Sequence, residues 1–312
     1  MPTQTIIRTP LSDHVGLELA GIDLDQPLSE STKQEFRDAW IDSGLLLLRG
    51  ALHSPEAHMR LSEVFGEMEP SATSFLNSVE NPFLMELRQR PDNPRSRRYV
   101  IDGETRVGYI GWHWDQSFMP TIVRGAVLRM VEPAAAGGLT GFIDAIAAYD
   151  RLTEETKARI DGLEVVYEFN PAMEENLGFP RGVVSLNQSS APRNFPPVVH
   201  PLVITQPETG RKVLKLSPTH YKTVLGMDQA EADALVAELA DVLTEDTYAY
   251  YHRWDTDDVI IWDNWRVIHS VTGVPEGVSR LGIRTTISGD YNVGRYLDPT
   301  LDKNNPPDRF DD

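Results

Sequence analysis

Seven short runs of apolar or alternating residues, 44–48, 122–130, 163–169, 198–205, 212–216, 258–262 and 280–288, are separated by proline- and glycine-rich turns. They do not alternate regularly with helical segments. Parallel strands need a crossover of a dozen or more residues, usually a helix, so a doubly wound fold is disfavoured. The pattern predicts a mainly β fold with flanking helices, a jelly roll (double-stranded β-helix) or barrel. Pro207-Glu208-Thr209-Gly210 between two of the runs is a hairpin signal. One predicted helix opens with the capping box Ser31-Thr32-Lys33-Gln34 and continues through Phe36, Ala39 and Trp40 at helical spacing. Another opens at Asp228, has Glu231 three residues on, and carries Leu235, Val236, Leu239 and Leu243 as its apolar stripe.

The chain has 312 residues, 40% of them hydrophobic, which is enough for a sizeable core. No internal repeat or shift in composition divides it, so a single domain over 1–312 is expected. Within it, 170–197 reads as a lid-like insert and the residues from 302 as a polar tail. The apolar run 44–48 is far shorter than the roughly 18 residues of a membrane span. The first residues have no basic and apolar signal regions, so a cytoplasmic location is expected. A net charge of −18 repels phosphate backbones and anionic bilayers, so neither nucleic acid nor membrane is an expected partner. With no cysteine, any metal must be held by histidine, carboxylate and water.

Trp112-His113-Trp114-Asp115 puts an imidazole and a carboxylate two residues apart, which in a strand places them on one face. By itself this is also the spacing of a structural His–Asp pair. Further on, Trp262-Asp263-Asn264 and His269 precede a run in which Arg280, Gly282, Arg284 and Thr286 share one face. Two arginines flanking a glycine suit a carboxylate ligand held by bidentate hydrogen bonds; two exposed surface arginines are the plainer alternative. Two histidines and a carboxylate with open positions form the ligand set of non-heme Fe(II) oxygenases, although zinc and manganese accept the same donors. The arginine face favours iron, since a dianionic 2-oxo acid chelating it needs its far carboxylate neutralised.

In order and spacing these motifs resemble the Fe(II)/2-oxoglutarate-dependent dioxygenases of the taurine dioxygenase and 2,4-dichlorophenoxyacetate dioxygenase family. The resemblance also takes in residues 16–24, 44–50 and 61–66, Gly137-Gly138-Leu139-Thr140 and residues 207–212, nearly the whole chain. It implies that His113, Asp115 and His269 hold Fe(II) and are the catalytic centre. It implies that Thr140 and Arg280 bind the co-substrate 2-oxoglutarate, with Arg284 on its near carboxylate or on an anionic substrate. The implied reaction consumes O2, releases succinate and CO2, and hydroxylates or otherwise oxidises an aliphatic C–H bond. Asp115 argues against halogenation, for which related enzymes carry a small residue there. No histidine lies in 81–90, which argues against taurine as substrate.

Candidate substrate contacts are Tyr109, Gln116, Arg193 and Arg284, with His200 at the end of the insert. They suggest a small anionic or zwitterionic molecule, and a homo-oligomer would be unsurprising for the family. Trp112 and Trp114 alternate with His113 and are read as packing residues, and His220 is the least settled of the remaining histidines. Desaturation or multi-step oxidation of an amino-acid derivative uses the same triad and is the competing enzymatic reading. A non-catalytic metal-binding jelly roll is the reading from another class, but it gives no reason for Thr140, Arg280 and Arg284 to accompany the triad.

Overall fold

The computed structural model describes residues 6–73, 76–90, 96–169, 177–186 and 195–302. Leu45–Leu48 shows how the molecule is layered: all four leucines are buried, Leu45 and Leu47 on one face and Leu46 and Leu48 on the other. A strand apolar on both faces must be covered on both. It lies in an eight-stranded sheet ordered Ile7–Pro10, Leu17–Ala20, Leu45–Leu48, Val259–Asp263, Gly125–Glu132, Arg280–Ile287 and Met68–Glu69, with Met85–Gln89 also paired to Arg280–Ile287. Neighbours are antiparallel except Leu17–Ala20 with Leu45–Leu48.

One face of this sheet packs against helices Glu30–Ser43 and Pro55–Phe65, with Phe36, Trp40, Leu61 and Phe65 meeting Leu46, Val127, Ile261 and Ile287. On the other face Leu47, Leu128, Ile260 and Trp262 share a core with Phe142 and Val267. Those two residues belong to a second, four-stranded sheet ordered Tyr250–His252, Thr140–Asp144, Val267–Val271 and Ile110–His113. The result is a mostly β structure of two packed sheets with few helices. Helix Gln229–Leu243 covers a further core through Leu235, Val236, Leu239 and Leu243, as its stripe predicted. Asp228 caps it by accepting from Ala230 and Glu231 N–H.

Two expectations need correction. The first helix is capped by Ser29, whose Oγ accepts from Thr32 N–H at 3.2 Å, so Ser31 lies inside the first turn. Thr32 is buried and also shares a hydroxyl contact with Ser29, which the Ser31-based box could not provide. The predicted strand 198–205 is two strands in different sheets, Val198–Pro201 and Val203–Thr205. Pro201 has no N–H for the ladder, and Leu202 N–H turns to Leu163 O. The predicted hairpin forms, pairing Val203–Thr205 with Lys212–Leu214.

Of the insert around 170–197, residues 170–176 and 187–194 lie outside the described residues. Val184–Ser185 pairs with the strand Arg98–Ile101, and Gly178 O accepts from Trp112 N–H at 3.3 Å. The close approach needs Gly111, because a Cβ there would lie 2.1 Å from Gly178 O. The tail from 303 also lies outside the described residues. Among the described residues no helix is long and apolar enough to cross a membrane.

Candidate metal centre and cofactor site

Antiparallel pairing puts His269, mid-strand in Val267–Val271, directly opposite His113 at the end of Ile110–His113. Asp115 lies in the turn just after that strand, where Asn264 holds its backbone beside the two histidines. One ligand atom from each of His113, Asp115 and His269 lies within 4.8 Å of the others, and all three residues are buried. The imidazole rings are 4.2 Å apart, and His269 Nε2 is 3.7 Å from Asp115 Oδ1.

The protonation states suit a divalent cation. His113 donates Nδ1–H to Gly111 O at 2.8 Å, which leaves the Nε2 lone pair available. Burial lowers the pKa of both imidazoles, and the mutual influence of the rings lowers that of His269 further, so both are neutral ligands. Burial alone would raise Asp115, but the Arg284 guanidinium forked onto it holds its carboxyl well below the usual range. The carboxylate accepts from Trp262 Nε1 at 3.1 Å. Its backbone is gripped by Asn264, whose Oδ1 accepts from Asp115 N–H at 2.7 Å and whose Nδ2 donates to Asp115 O and Val123 O.

Arg280 and Arg284 share a face of Arg280–Ile287 but differ in their surroundings. Arg284 forks onto Asp115, with Nη1 to Oδ1 at 2.9 Å and Nη2 to Oδ2 at 2.8 Å, so its observed partner is the metal-binding carboxylate. Arg280 makes no hydrogen bond or ion pair with the described residues, and burial pushes its guanidinium down to about 10. Thr140 is buried, and its Oγ1 accepts from Trp254 Nε1 at 2.9 Å. With that lone pair engaged, the hydroxyl proton is left for another acceptor. A guanidinium with no partner among the described residues and a hydroxyl whose proton is left over are donors of the kind that bind carboxylates.

The remaining predicted contacts divide. Gln116 is buried, adopts φ 55°, and its Nε2 has no hydrogen-bond partner. Tyr109 lies in an aromatic group with Tyr99 and Phe179, and burial pushes its hydroxyl up to about 12. Arg193 lies outside the described residues. His200 is fully buried, bonds Met119 O through Nε2 at 2.8 Å and packs edge-on against Trp114, so it is a core residue. Trp114 packs on Tyr167 as expected.

Sequence reasoning assigned no role to His220, whose ring lies 5.9 Å from that of His113 and whose Nδ1 is 2.8 Å from Ser117 Oγ. Phe118 and Phe169 pack on His220, and Phe195 joins them. These residues come from separated segments with no shared motif, so only the fold could assemble them.

A family model described as taurine catabolism dioxygenase TauD, TfdA family matches residues 8–286, and the chain belongs to that family. It is an oxidoreductase, an Fe(II)- and 2-oxoglutarate-dependent dioxygenase whose metal site is His113, Asp115 and His269. The chain is 29% identical over 286 residues to an (S)-phenoxypropionate/alpha-ketoglutarate-dioxygenase of Sphingobium herbicidovorans, covering 90% of this chain and 94% of that one. It is also 29% identical over 273 residues to an alpha-ketoglutarate-dependent 2,4-dichlorophenoxyacetate dioxygenase of Cupriavidus pinatubonensis, covering 85% and 91%. The crystal structure of AAD-2 in complex with Mn(II) and N-oxalylglycine superposes with a TM-score of 0.73 at 26% identity, covering 93% and 99%.

Proposed function

We propose that this dioxygenase oxidises an aliphatic C–H bond of a small carboxylate-bearing substrate with an apolar body, within a single jelly-roll domain. The observation that carries the reading is the wall beside the triad. Phe118 and Phe169 pack on His220, Phe195 packs on both phenylalanines, and His220 meets His113 edge-on, so a buried apolar cluster reaches the metal ligands. Burial pushes His220 down to about 3, which keeps it neutral in that wall. The phenoxypropionate and 2,4-dichlorophenoxyacetate named for the relatives have this combination of ring and carboxylate.

Bound iron with 2-oxoglutarate supplies O2 activation coupled to decarboxylation of the co-substrate to succinate and CO2. Arg280 and Thr140 hold the distal carboxylate, the guanidinium by charge and the hydroxyl by its free proton. Arg284 and Trp262 orient Asp115, and Gln116 and Tyr109 are substrate contacts.

The test is substrate-dependent O2 consumption and succinate release across phenoxyalkanoates, aliphatic carboxylates and taurine. Turnover of apolar carboxylates with hydroxylated or cleaved products supports the reading. Turnover of taurine alone sinks it, and an alkene product transfers the assignment to desaturation.

A further inference from the structure

Lys215 is a buried cation with no part in the chemistry above. Its side chain is 1% exposed, and burial pushes its ammonium down to about 7 against the opposing pull of Asp263 and Asp115. Among the described residues it has no ion-pair partner. Its Nζ donates to the main-chain oxygen of Asn264 and sits 4.4 Å from the centre of the Trp114 ring. A lone buried ammonium is costly, and an apolar side chain of similar volume is often neutral or stabilising in such a place. Packing is therefore a poor reason for lysine here, and its two contacts are the informative feature.

Both contacts lead to metal ligands. Trp114 separates His113 from Asp115 in sequence, so the cation lies over the segment that carries two ligands. Asn264 lies in the turn between Val259–Asp263 and Val267–Val271, the strand that carries His269. Its side chain grips Asp115 at both N–H and C=O. Tyr167 Oη donates to Lys215 O at 2.8 Å, and Lys215 N–H donates to Leu202 O, so the lysine backbone is itself anchored.

We propose that Lys215 is a positioning residue for the metal centre, fastening the 113–115 segment and the 264 turn to each other from behind the ligands. It acts through Asn264 and Trp114 and touches neither metal nor substrate. The proposal rests on the assignment of His113, Asp115 and His269 as the metal site.

The probe is Mn(II), added to the metal-stripped full-length protein and followed by the electron paramagnetic resonance signal of the free ion. K215M is expected to raise the Mn(II) dissociation constant about tenfold or more. Its thermal midpoint without metal is expected to stay near that of wild type, a combination that loss of packing would not produce. N264A also weakens Mn(II), and the double variant loses less than the sum because the lysine works partly through that side chain. K215Q, which keeps a donor for Asn264 O, recovers part of the affinity, and K215L replaces K215M if the latter does not fold. Wild-type Mn(II) affinity in K215M, or in K215L as its replacement, overturns the proposal, as does full additivity with N264A. D115A is the separate control: if it retains wild-type Mn(II) affinity, the triad assignment has failed instead.

Discussion

Arg280→Met separates two consequences of one charge. The guanidinium is pushed down to about 10 from 12.5 by burial, with no acidic partner among the described residues. A displacement of that size is worth about 3 kcal/mol of unrelieved desolvation, or about 2 kcal/mol after allowing for its residual contact with solvent. At neutral pH the arginine is charged in both folded and unfolded states, so the folded protein bears this penalty in full until pH approaches 10. Methionine keeps the apolar stem and removes the charge. With an unfolding entropy of about 2.1 cal/mol/K per residue, about 2 kcal/mol corresponds to a melting temperature about 3 °C higher for the cofactor-free protein.

Binding should move the other way. A charge-assisted hydrogen bond to the distal carboxylate contributes about 1.5–3 kcal/mol, so 2-oxoglutarate affinity falls by about 10–150-fold. The assay is an anaerobic titration of the Fe(II)-loaded protein, following the visible charge-transfer absorption of bound 2-oxoglutarate, paired with thermal melts without cofactor. A variant that binds 2-oxoglutarate within about threefold of wild type refutes the assignment of Arg280. A variant that melts lower without cofactor refutes the desolvation argument.

Thr140→Val should weaken 2-oxoglutarate about tenfold in the same titration, the loss of roughly one hydrogen bond to a charged group. Trp254→Phe should weaken it in the wild-type background and add nothing to Thr140→Val, and an additive effect would show that Trp254 does not act through the hydroxyl. His58 is pushed down to about 4 by burial, so below about 6.5 the unfolded chain binds a proton that the native state resists. Denaturant titrations should therefore show wild-type stability falling as pH drops from about 6.5 to 4, and His58→Gln should remove about 2–3 kcal/mol of that loss. An unchanged pH slope in the variant would contradict the neutral buried histidine. Replacing the carboxylate of a turned-over substrate by a primary amide should lower kcat/KM about tenfold or more, as measured by O2 consumption, and equal turnover would remove the case for an anionic substrate.

The triad was legible because each of its signals is local. His113 and Asp115 are near neighbours in sequence and so stay close although the strand ends at His113, and the alternation of Arg280, Gly282 and Arg284 fixes a shared strand face. The doubly buried Leu45–Leu48 was legible as a strand for a similar reason. What could not be read were interactions between segments far apart in sequence. Arg284 was expected at a ligand, yet it pairs with Asp115, a residue 169 positions away. Asn264 stands in the Trp262-Asp263-Asn264 motif, but its grip on Asp115 depends on how the 264 turn meets the segment after Ile110–His113. Lys215 lies in the predicted run 212–216, where local alternation carries no sign that its side chain is buried against Trp114.

Charge balance connects these contacts to the choice of substrate. Burial keeps His113 and His269 neutral, so the ionised groups of the proposed site are Asp115 and Arg284 at the metal and Arg280 at the co-substrate, with Lys215 behind the ligands. Arg284 cancels Asp115 through their fork, which leaves Arg280, and Lys215 where it is protonated, as positive charge in excess. A divalent iron and a dianionic 2-oxoglutarate cancel each other in total charge, so binding both would leave that excess unchanged. In a low-dielectric site an uncompensated charge is unfavourable, so on the proposed reading an anionic substrate is better matched than a neutral one. The same arithmetic accounts for how a chain of net charge −18 can attract an anion at all: its overall field repels, but the pocket presents a local cation. On the proposed reading, recognition by charge falls to the carboxylate, and the apolar cluster of Phe118, Phe169 and Phe195 is the candidate to select the apolar body by shape.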